Sequence, residues 1–288
     1  MTAKIPLRGL QAPQFRHPLD QEATQALQTL PGLDVVIRSL LSPVAEEFFF
    51  INNIAASVQV GRNQLPELHD LLLEACAVLD LEPPELYVQQ NPAPNAYTLA
   101  MRGQRPFVVL HTSLIELLTW EEVQAVIAHE LGHLKCEHGV YLTLANLMVL
   151  ATNLLPGWGA LLTQALQDQL LTWVRCAEFS CDRAALLAAQ NPDVVMSVLM
   201  KLSGGSPRLA PLLNLKAFVA QAQSYDAIGD RDLGHLLRQA QVQQRTHPFP
   251  VLRAREIQRW AKSPDYQQLL ERYEQVQTGK NQGKWRNW

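Results

Sequence analysis

One stretch of the sequence combines the side chains that a hydrolytic metal centre requires. His129, Glu130 and His133 belong to the pentapeptide His-Glu-Leu-Gly-His. Residues four apart in an α-helix lie on one face about one turn apart, so both imidazoles can reach a single Zn²⁺. The Glu130 carboxylate next to that face can take a proton from a zinc-activated water and pass it to a leaving amine. The pattern indicates one zinc ion per chain, with Glu130 as general base.

The flanking sequence predicts a capped amphipathic helix around this motif. Thr119 at the N-cap and Glu122 three residues later form a capping box. Apolar residues then recur at helical spacing through the motif, at Val123, Val126, Ile127, Leu131 and Leu134. A His-Glu-x-x-His pattern also arises by chance, and this helical context strengthens the metal-site interpretation.

Zinc requires a third protein ligand, which the sequence after the motif must supply. The metzincin spacing needs glycine at 136 and histidine at 139, where the chain has Cys136 and Gly139. Glu137 and His138 are expected to continue the motif helix, so they would have to turn back toward the metal. These positions are therefore the weaker candidates.

Glu178 is the stronger candidate, because it lies on a separate predicted helix over roughly residues 169–189. Asp182 follows one turn later on the same face, where it could accept a hydrogen bond from a ligand histidine and fix its tautomer. The alternative is that both carboxylates form a solvated acidic face beside Arg175 and Arg183. Three flanking cysteines are interpreted as small buried residues rather than ligands: Cys136, Cys176 and Cys181.

Short strand-like segments precede the motif helix. They cover residues 86–88, 96–99 and 107–110, with turn-forming residues such as Asn91-Pro92 between them. Helical patterns prevail elsewhere. We therefore expect an α+β fold: a mostly helical, zincin-type metallopeptidase with a small antiparallel or mixed sheet of about three strands.

The chain is expected to form one catalytic unit with extensions. We assign residues 1–62 to an N-terminal arm and helices that pack on the core, and residues 63–277 to the catalytic domain. Within it, residues 139–167 form an apolar helical insertion without a formal charge. Residues 278–288 are expected to be a flexible polar tail.

The overall composition narrows the classes of function. The 288 residues carry a formal net charge of −3, so the chain has no basic field and nucleic acid is not an expected partner. The four cysteines contain no CxxC pair and are expected to be reduced thiols. The N-terminal segment lacks an apolar core, so we expect no signal peptide and a cytoplasmic protein. No pattern predicts an oligomeric state.

The motifs occur in a specific order: a small sheet, the His-Glu-Leu-Gly-His helix, an uncharged insertion, a Glu-Phe-Ser-Cys-Asp helix, and Thr246-His247-Pro248. This order resembles the M48 family of gluzincin metallopeptidases, which includes HtpX-like, Ste24-like and Oma1-like peptidases. The resemblance covers roughly residues 65–256. It implies that zinc is bound by three side chains, that a catalytic glutamate and a supporting aspartate assist, and that the substrate is a protein or peptide. The corresponding residues are His129, His133 and Glu178 for zinc, then Glu130 and Asp182.

Two further features acquire roles through the same resemblance. The family's distal histidine, followed six residues later by arginine, corresponds to His247 and Arg253, expected to assist at a developing oxyanion. The dipeptide before the family's substrate-binding edge strand corresponds to Asn95-Ala96. Each has a plainer alternative, since His247 before Pro248 can simply begin a helix and Arg253 can be a surface residue.

Many members of this family carry transmembrane helices, some of them in the insertion between the ligand segments. Here the apolar run 33–60 contains charges, and the insertion 139–167 is interrupted by polar residues and by Pro156-Gly157. We therefore expect a soluble enzyme with a helical hairpin. The alternative is a hairpin that makes peripheral contact with a membrane through residues 139–167.

Two classes of function follow from these features. The preferred hypothesis is a zinc-dependent endopeptidase that hydrolyses peptide bonds of proteins. The alternative is a zinc-bearing scaffold or chaperone-like protein whose residues 139–167 hold misfolded or membrane-associated clients. The presence of Glu130 favours the enzyme, because a structural zinc site needs no general base. A third interpretation is that the His-Glu-x-x-His motif arose by chance. In that case the purified protein would bind no transition metal.

Overall fold

The structure is a computed structural model that describes residues 4–30, 51, 54–100, 106–145, 164–229 and 247–283. Most of the insertion 139–167 and of the apolar run 33–60 lies outside this part of the chain, as does Thr246.

The described residues form a mostly helical fold with one small sheet, so the predicted α+β class is confirmed. The helices are α1 (Pro18–Gln28), α2 (Pro66–Leu79), α3 (Thr112–Leu117), α4 (Trp120–Lys135), α5 (Gln164–Ala189), α6 (Pro192–Gly204), α7 (Leu215–Gly229), α8 (Pro250–Ala261) and α9 (Pro264–Gly283). The strands are β1 (Val58–Gln59), β2 (Glu85–Gln89), β3 (Ala96–Leu99) and β4 (Phe107–His111).

Helix α9 extends into the segment assigned to the C-terminal tail. It continues to Gly283, so the backbone of residues 278–283 is helical. Tyr266, Leu269 and Tyr273 are buried in the main core and anchor the first turns of α9. A helix nucleated in this way extends at little further cost, because each added residue brings its own hydrogen bond.

The sheet has the strand order β1-β2-β4-β3 and is mixed. β2 and β4 run parallel, whereas β1 pairs antiparallel with β2, and β3 antiparallel with β4. Strand β1 was not predicted from the sequence. Its two residues are too few to show an alternating pattern, and they lie at the end of an apolar run that was assigned to helices. Among the described strands, β3 pairs on one side only, so it is an edge strand.

The buried strand β4 connects the sheet to the motif helix. Alternate residues of a strand point to opposite faces, and all five residues of β4 are buried. Val108 and Leu110 lie in the main core, together with Ile127 and Leu131 of α4. The other face of β4 contributes to a smaller cluster, with Phe107, Val109, Tyr87 and Leu99. Helix α4 is therefore held against the sheet by the apolar stripe that the sequence predicts.

Helix α1 packs on helix α5. Leu27 lies in a small apolar cluster with Leu170 and Trp173, and these three side chains are almost completely buried. Trp173 Nε1 donates a hydrogen bond to Thr24 Oγ1 over 2.8 Å. The N-terminal helix is therefore fixed to the helix that carries Glu178.

Candidate active site

Helix α4 begins at the predicted capping box and is tied there to helix α6. Thr119 N donates to Glu122 Oε2 over 2.8 Å, and the Glu122 amide donates to the Thr119 hydroxyl oxygen over 3.4 Å. The Glu122 carboxylate also accepts hydrogen bonds from Ser197 at 2.7 Å and Lys201 at 2.6 Å. The start of the motif helix is therefore fixed by both local and tertiary contacts.

Gly132 allows helices α4 and α5 to approach closely at the site. A Cβ atom at this position would lie 2.9 Å from both Cys181 Cα and Ala184 Cβ, closer than atoms of this kind can pack. Gly132 is thus the residue of α4 against which the α5 backbone packs. This close crossing brings Glu178 opposite the two motif histidines.

The structure brings His129, His133 and Glu178 together. His129 Nε2 lies 3.4 Å from Glu178 Oε2, and His133 Nε2 lies 3.5 Å from Glu178 Oε1. Two atoms that bind one tetrahedral ion at about 2.1 Å are themselves about 3.4 Å apart, so both separations suit a shared Zn²⁺. The three side chains are between 3% and 13% exposed, and water is therefore largely excluded from these atoms.

Local charges also fit a bound cation. Glu178 Oε2 is buried and accepts no well-formed hydrogen bond, although Arg253 Nη1 lies 3.0 Å away. Burial raises the pKa of Glu178, but the positive charges of His247, Arg253 and His129 hold it well below its ordinary value, so the carboxylate is ionised. Burial alone would lower the pKa of His129, but Glu178 and Asp182 raise it to about 10. This environment stabilises positive charge, whether as a proton or as a metal ion.

Cys181 is an alternative donor near the two histidines. Its sulfur and a ring nitrogen of each of His129 and His133 all lie within 4.8 Å of one another. A thiol binds metal as thiolate, and burial raises the pKa of Cys181 well above its ordinary value. Glu178 offers a carboxylate that is already ionised and faces both Nε2 atoms. The donor set is therefore better completed by Glu178.

Asp182 lies behind His129, on the side away from Glu178. His129 Nδ1 donates to Asp182 Oδ1 over 3.1 Å, so Nε2 is the ring nitrogen that faces Glu178 and can bind a metal ion once its proton is released. Burial raises the pKa of Asp182, but the charge and hydrogen bonds of Arg253, together with the His129 hydrogen bond, lower it below its ordinary value. An ionised Asp182 therefore orients His129 in the tautomer that a metal requires.

Arg253, on helix α8, is buried and holds two of the site carboxylates. Its Nε and Nη2 donate to the two oxygens of Asp182 over 2.8 and 2.6 Å. Its Nη1 lies 3.0 Å from Glu178 Oε2. The sequence-based expectation places Arg253 at a developing oxyanion, whereas here each guanidinium nitrogen faces a protein carboxylate. This geometry favours a role in orienting the donors.

Glu130 is held by a residue that sequence analysis missed. The hydroxyl of Thr98, on edge strand β3, donates to Glu130 Oε2 over 2.7 Å, and both residues are buried. The same hydroxyl lies 3.2 Å from the Glu130 carbonyl oxygen. The sequence does place Thr98 two residues after Ala96, on the same strand face, and this spacing is the signal that could have indicated it.

Asn95, Ala96 and His247 lie at the entrance to the site. Ala96 begins the edge strand, and Asn95 directly precedes it, where the Asn95 carbonyl accepts from His111 N over 3.0 Å. The side chain of His247 is 57% exposed, and its Nε2 lies 3.6 Å from Glu178 Oε2. The structure therefore brings every predicted site residue to one cleft, where Asn95 and His247 are exposed.

Two adjoining cavities meet at these residues. The larger, of about 270 Å³, has an apolar wall formed by residues such as Leu114, Val126, Val195, Val198 and Leu199. The smaller, of about 160 Å³, is lined by Tyr97, Leu142 and Val174. Both cavities include His129, Glu130 and Glu178 in their walls. The polar centre is therefore flanked by space on two sides.

His138 does not continue the motif helix, and the expectation that it does is wrong. Helix α4 ends at Lys135, and Glu137 adopts a left-handed conformation with φ of 59°. The chain therefore turns back, and His138 Nδ1 lies 3.1 Å from His133 Nδ1. His138 Nε2 in turn lies 3.2 Å from Asp20 Oδ2 on helix α1. No local sequence signal joins Asp20 to this site, because the contact depends on how α1 packs.

The cleft combines two helix-borne histidines, a carboxylate that faces them and a second carboxylate. This arrangement defines a metal-dependent hydrolase. Comparison with known protein families identifies the family of hydrolases. The model of peptidase family M48 matches residues 62–261, and the chain therefore belongs to this family of metallopeptidases. The resemblance inferred from the sequence is confirmed.

Similar proteins carry names of the same kind. The plastoglobule-localized metallopeptidase 48 of Arabidopsis thaliana chloroplasts is 53% identical over 92% of this chain and 77% of its own length. A protease HtpX homolog of Methanosarcina mazei is 27% identical over 52% of this chain and 59% of that protein. One from Moorella thermoacetica is 27% identical over 59% of this chain and 64% of its own length. The chain thus spans less than two thirds of the two HtpX homologs.

Among solved structures, the Ste24p protein of S. mikatae matches with a TM-score of 0.39 and 14% identity, over 83% of this chain and 61% of that one. In the described part of the present chain, no helix combines the length and apolarity needed to cross a membrane. The predicted cytoplasmic location finds no support in these comparisons, because the Arabidopsis relative is named for a plastoglobule.

Proposed function

We propose that this metallopeptidase is a zinc-dependent endopeptidase whose zinc ion is held by His129, His133 and Glu178. The observation that carries the proposal is the convergence of two Nε2 atoms on the two oxygens of one buried carboxylate, at 3.4 and 3.5 Å. Two imidazoles and one carboxylate are a donor set typical of catalytic zinc, which keeps a fourth position for water or substrate. Zinc, when bound, would polarise the scissile carbonyl and acidify a water molecule.

Glu130 would move the proton during hydrolysis. Its carboxylate lies in the wall of both cavities, next to the ligand His129, so it can accept a proton from water and deliver it to the leaving amine. The hydrogen bond from Thr98 occupies one lone pair of Oε2 and limits rotation of the carboxylate. The general base would therefore be oriented before substrate binds.

The edge strand β3 would bind the substrate backbone. Within the described sheet its outer edge is unpaired, so an extended peptide can add to it as a further strand, beginning at Asn95 and Ala96. The adjoining cavities leave space on both sides of Glu130, which suits cleavage within a chain rather than at its end. The apolar wall of the larger cavity favours a large apolar side chain beside the scissile bond.

His247 would assist at the oxyanion. It is the exposed imidazole at the mouth of the cleft, and its Nε2 approaches Glu178 from the open side. A donor at that position can hydrogen-bond an oxygen that becomes negatively charged as water adds to the carbonyl. We assign Arg253 to the support of Asp182 and Glu178, because its nitrogens already face both carboxylates.

The test compares two substitutions of the same chemical type on helix α4. Glu130→Gln is expected to retain about one zinc per chain and to lose cleavage of casein by at least roughly 100-fold. Glu121→Gln, at an exposed position of the same helix, is the matched control and should keep both properties. A Glu178→Gln variant should bind zinc much more weakly. Undiminished proteolysis by Glu130→Gln would exclude Glu130 as the base.

Contact with a lipid surface is a separate proposal, supported by the uncharged residues 139–167 and by the name of the Arabidopsis relative. Flotation of the purified protein with phosphatidylcholine or galactolipid vesicles tests it. Binding should weaken when Leu147 or Leu150 is replaced by glutamate, with casein cleavage unchanged. Failure of the protein to float with either vesicle would contradict contact with a lipid surface.

A further inference from the structure

Three buried side chains form a hydrogen-bonded chain from helix α1 to the second motif histidine. His133 Nδ1 lies 3.1 Å from His138 Nδ1, and His138 Nε2 lies 3.2 Å from Asp20 Oδ2. Asp20, His138 and His133 are 0%, 1% and 4% exposed. Water is therefore excluded from this hydrogen-bonded series, and each of its protons is carried by Asp20, His138 or His133.

Asp20 is a charged acceptor at the far end. Arg16 Nε donates to Asp20 Oδ2 over 2.8 Å, and the Ser180 hydroxyl donates to the same oxygen over 2.6 Å. Burial raises the pKa of Asp20, but hydrogen bonds from His138, Arg16 and Ser180 bring it well below its ordinary value. An ionised carboxylate can only accept, so the proton between Asp20 and His138 resides on His138 Nε2.

This fixed proton determines the rest of the chain. A neutral His138 protonated on Nε2 has a lone pair on Nδ1, which faces His133 Nδ1 at 3.1 Å and the Cys181 sulfur at 3.8 Å. The nearer group, the Nδ1–H of His133, donates to this lone pair. His133 is then unprotonated on Nε2, the atom that lies 3.5 Å from Glu178 Oε1. The arrangement repeats what Asp182 does for His129, with one additional imidazole between carboxylate and ligand.

The same residues do not suit a second metal site. Asp20, Cys136 and His138 have potential donor atoms within 4.8 Å of one another. The oxygens of Asp20 are already occupied by hydrogen bonds from a guanidinium and two hydroxyls. Burial raises the pKa of the Cys136 thiol to about 12, which opposes the thiolate that a metal requires. The cluster is better explained as a hydrogen-bonded support.

We propose that Asp20 is a positioning residue that acts through His138 to hold His133 in its Nδ1-protonated tautomer, so that docking of helix α1 prepares the site for metal. The proposal rests on the proposed function in one respect, namely that His133 binds zinc through Nε2. Helix α1 is itself held on α5 by the Trp173–Thr24 hydrogen bond and by His17 N, which donates to Ser180 Oγ over 2.9 Å. The position of α1 is thereby linked to both ligand-bearing helices.

Zinc competition with a chromophoric chelator tests the proposal in the full-length protein. Asp20→Asn is expected to lower zinc affinity by roughly 10- to 100-fold, the usual effect of removing a carboxylate that orients a ligand histidine. Glu22→Gln makes an equivalent change of charge on the exposed face of α1 and should leave the affinity unchanged. Asp20 also binds Arg16, so Asp20→Asn changes more than the contact with His138. A His138→Leu variant therefore interrupts the same hydrogen-bonded series at the imidazole between Asp20 and His133. We expect the same loss of affinity there.

A second measurement separates positioning from a merely structural role. Nitrogen-15 spectra of the zinc-free protein, labelled at histidine, should show His133 protonated on Nδ1 in the wild type and a mixture of tautomers in Asp20→Asn. Wild-type zinc affinity in either folded variant, or an unchanged His133 tautomer in both, overturns the proposal. If His133→Ala retains zinc, the proposed function itself fails, and this outcome is distinct from failure of the positioning role alone.

Discussion

Thr98 and Glu130 are joined through one hydroxyl group, which lies 2.7 Å from the carboxylate and 3.2 Å from the carbonyl oxygen of the same glutamate. The contact connects the edge strand proposed to bind substrate with the residue proposed to move the proton. The hydroxyl therefore fixes the position of the edge strand relative to the Glu130 carboxylate.

Thr98→Val removes this hydroxyl while keeping the shape of the side chain. We expect a roughly 10- to 100-fold fall in kcat, because a hydrogen bond to a charged group contributes about 1.5–3 kcal/mol. Zinc content should not change, since both hydrogen bonds of the Thr98 hydroxyl go to Glu130, which is not a proposed ligand. Thr98→Ser should restore most of the activity, and kinetic assays with a peptide substrate distinguish the variants. Equal kcat in the valine and serine variants would contradict the role.

Gly132→Ala should separate the two ligand-bearing helices. The added methyl would lie 2.9 Å from Cys181 Cα, and overpacking of this kind typically costs about 1–3 kcal/mol. Urea denaturation should show that loss, together with weaker zinc binding. Gly204→Ala is the control, because a Cβ there meets no atom within 4 Å. Similar behaviour of the two variants would mean that close helix packing is not the reason for the glycine.

Arg253→Met should destabilise the protein strongly when zinc is removed. The substitution leaves Asp182 and Glu178 buried without their guanidinium, and breaking a buried ion pair typically costs about 3–5 kcal/mol. Arg253→Lys retains the charge but cannot form the two-point contact with Asp182, so we expect an intermediate loss. Urea unfolding in the presence of a chelator measures both. A lysine variant as stable as the wild type would argue against the two-point contact.

His17 should make folding stability depend on pH. Its Nδ1 accepts a hydrogen bond from Leu19 N at the start of α1, which requires a neutral ring. Burial and the charge of Arg183 lower its pKa from 6.5 to about 4. Because the folded pKa lies below the unfolded one, this stabilisation is complete above pH 6.5 and is lost as the pH falls toward 4.

Urea titrations between pH 4 and 7 provide the measurement for His17. The His17→Asn variant supplies the control, because asparagine is a good N-cap without a titrating group. It should keep most of the stability at neutral pH and show a shallower decline in acid. A slope as steep as that of the wild type would assign the pH dependence to other residues.

Val198→Phe should change the preferred substrate. Val198 lies in the apolar wall of the larger cavity, and a phenyl group there would occupy part of its roughly 270 Å³. We expect the wild type to favour a large apolar residue beside the cleaved bond and the variant to favour a smaller one. Mass spectrometry of cleaved peptide libraries reveals both preferences. If the wild type and the variant prefer the same residues, the apolar side chain of the substrate does not bind in this cavity.

The sequence predicted those parts of the site that depend on local spacing. Helix α4, its cap at Thr119 and the relation between Glu178 and Asp182 follow from helical periodicity, which the residues themselves encode. Local spacing places Thr98 on the same strand face as Ala96, but no local pattern identifies a contact with a distant segment. Thr98 reaches Glu130, and Asp20 reaches His138, only because a strand and a helix pack where they do. The left-handed Glu137 was also missed, because this conformation is uncommon outside glycine and asparagine.

The contact between Arg253 and Asp182 joins residues 71 positions apart, and it has a consequence for synthesis. Both motif histidines and Glu178 leave the ribosome well before helix α8 does. Until α8 docks, Asp182 and Glu178 lack the buried guanidinium that faces them. A chain that ended before α8 would therefore contain all three proposed zinc ligands but would lack the guanidinium that faces two of the site carboxylates.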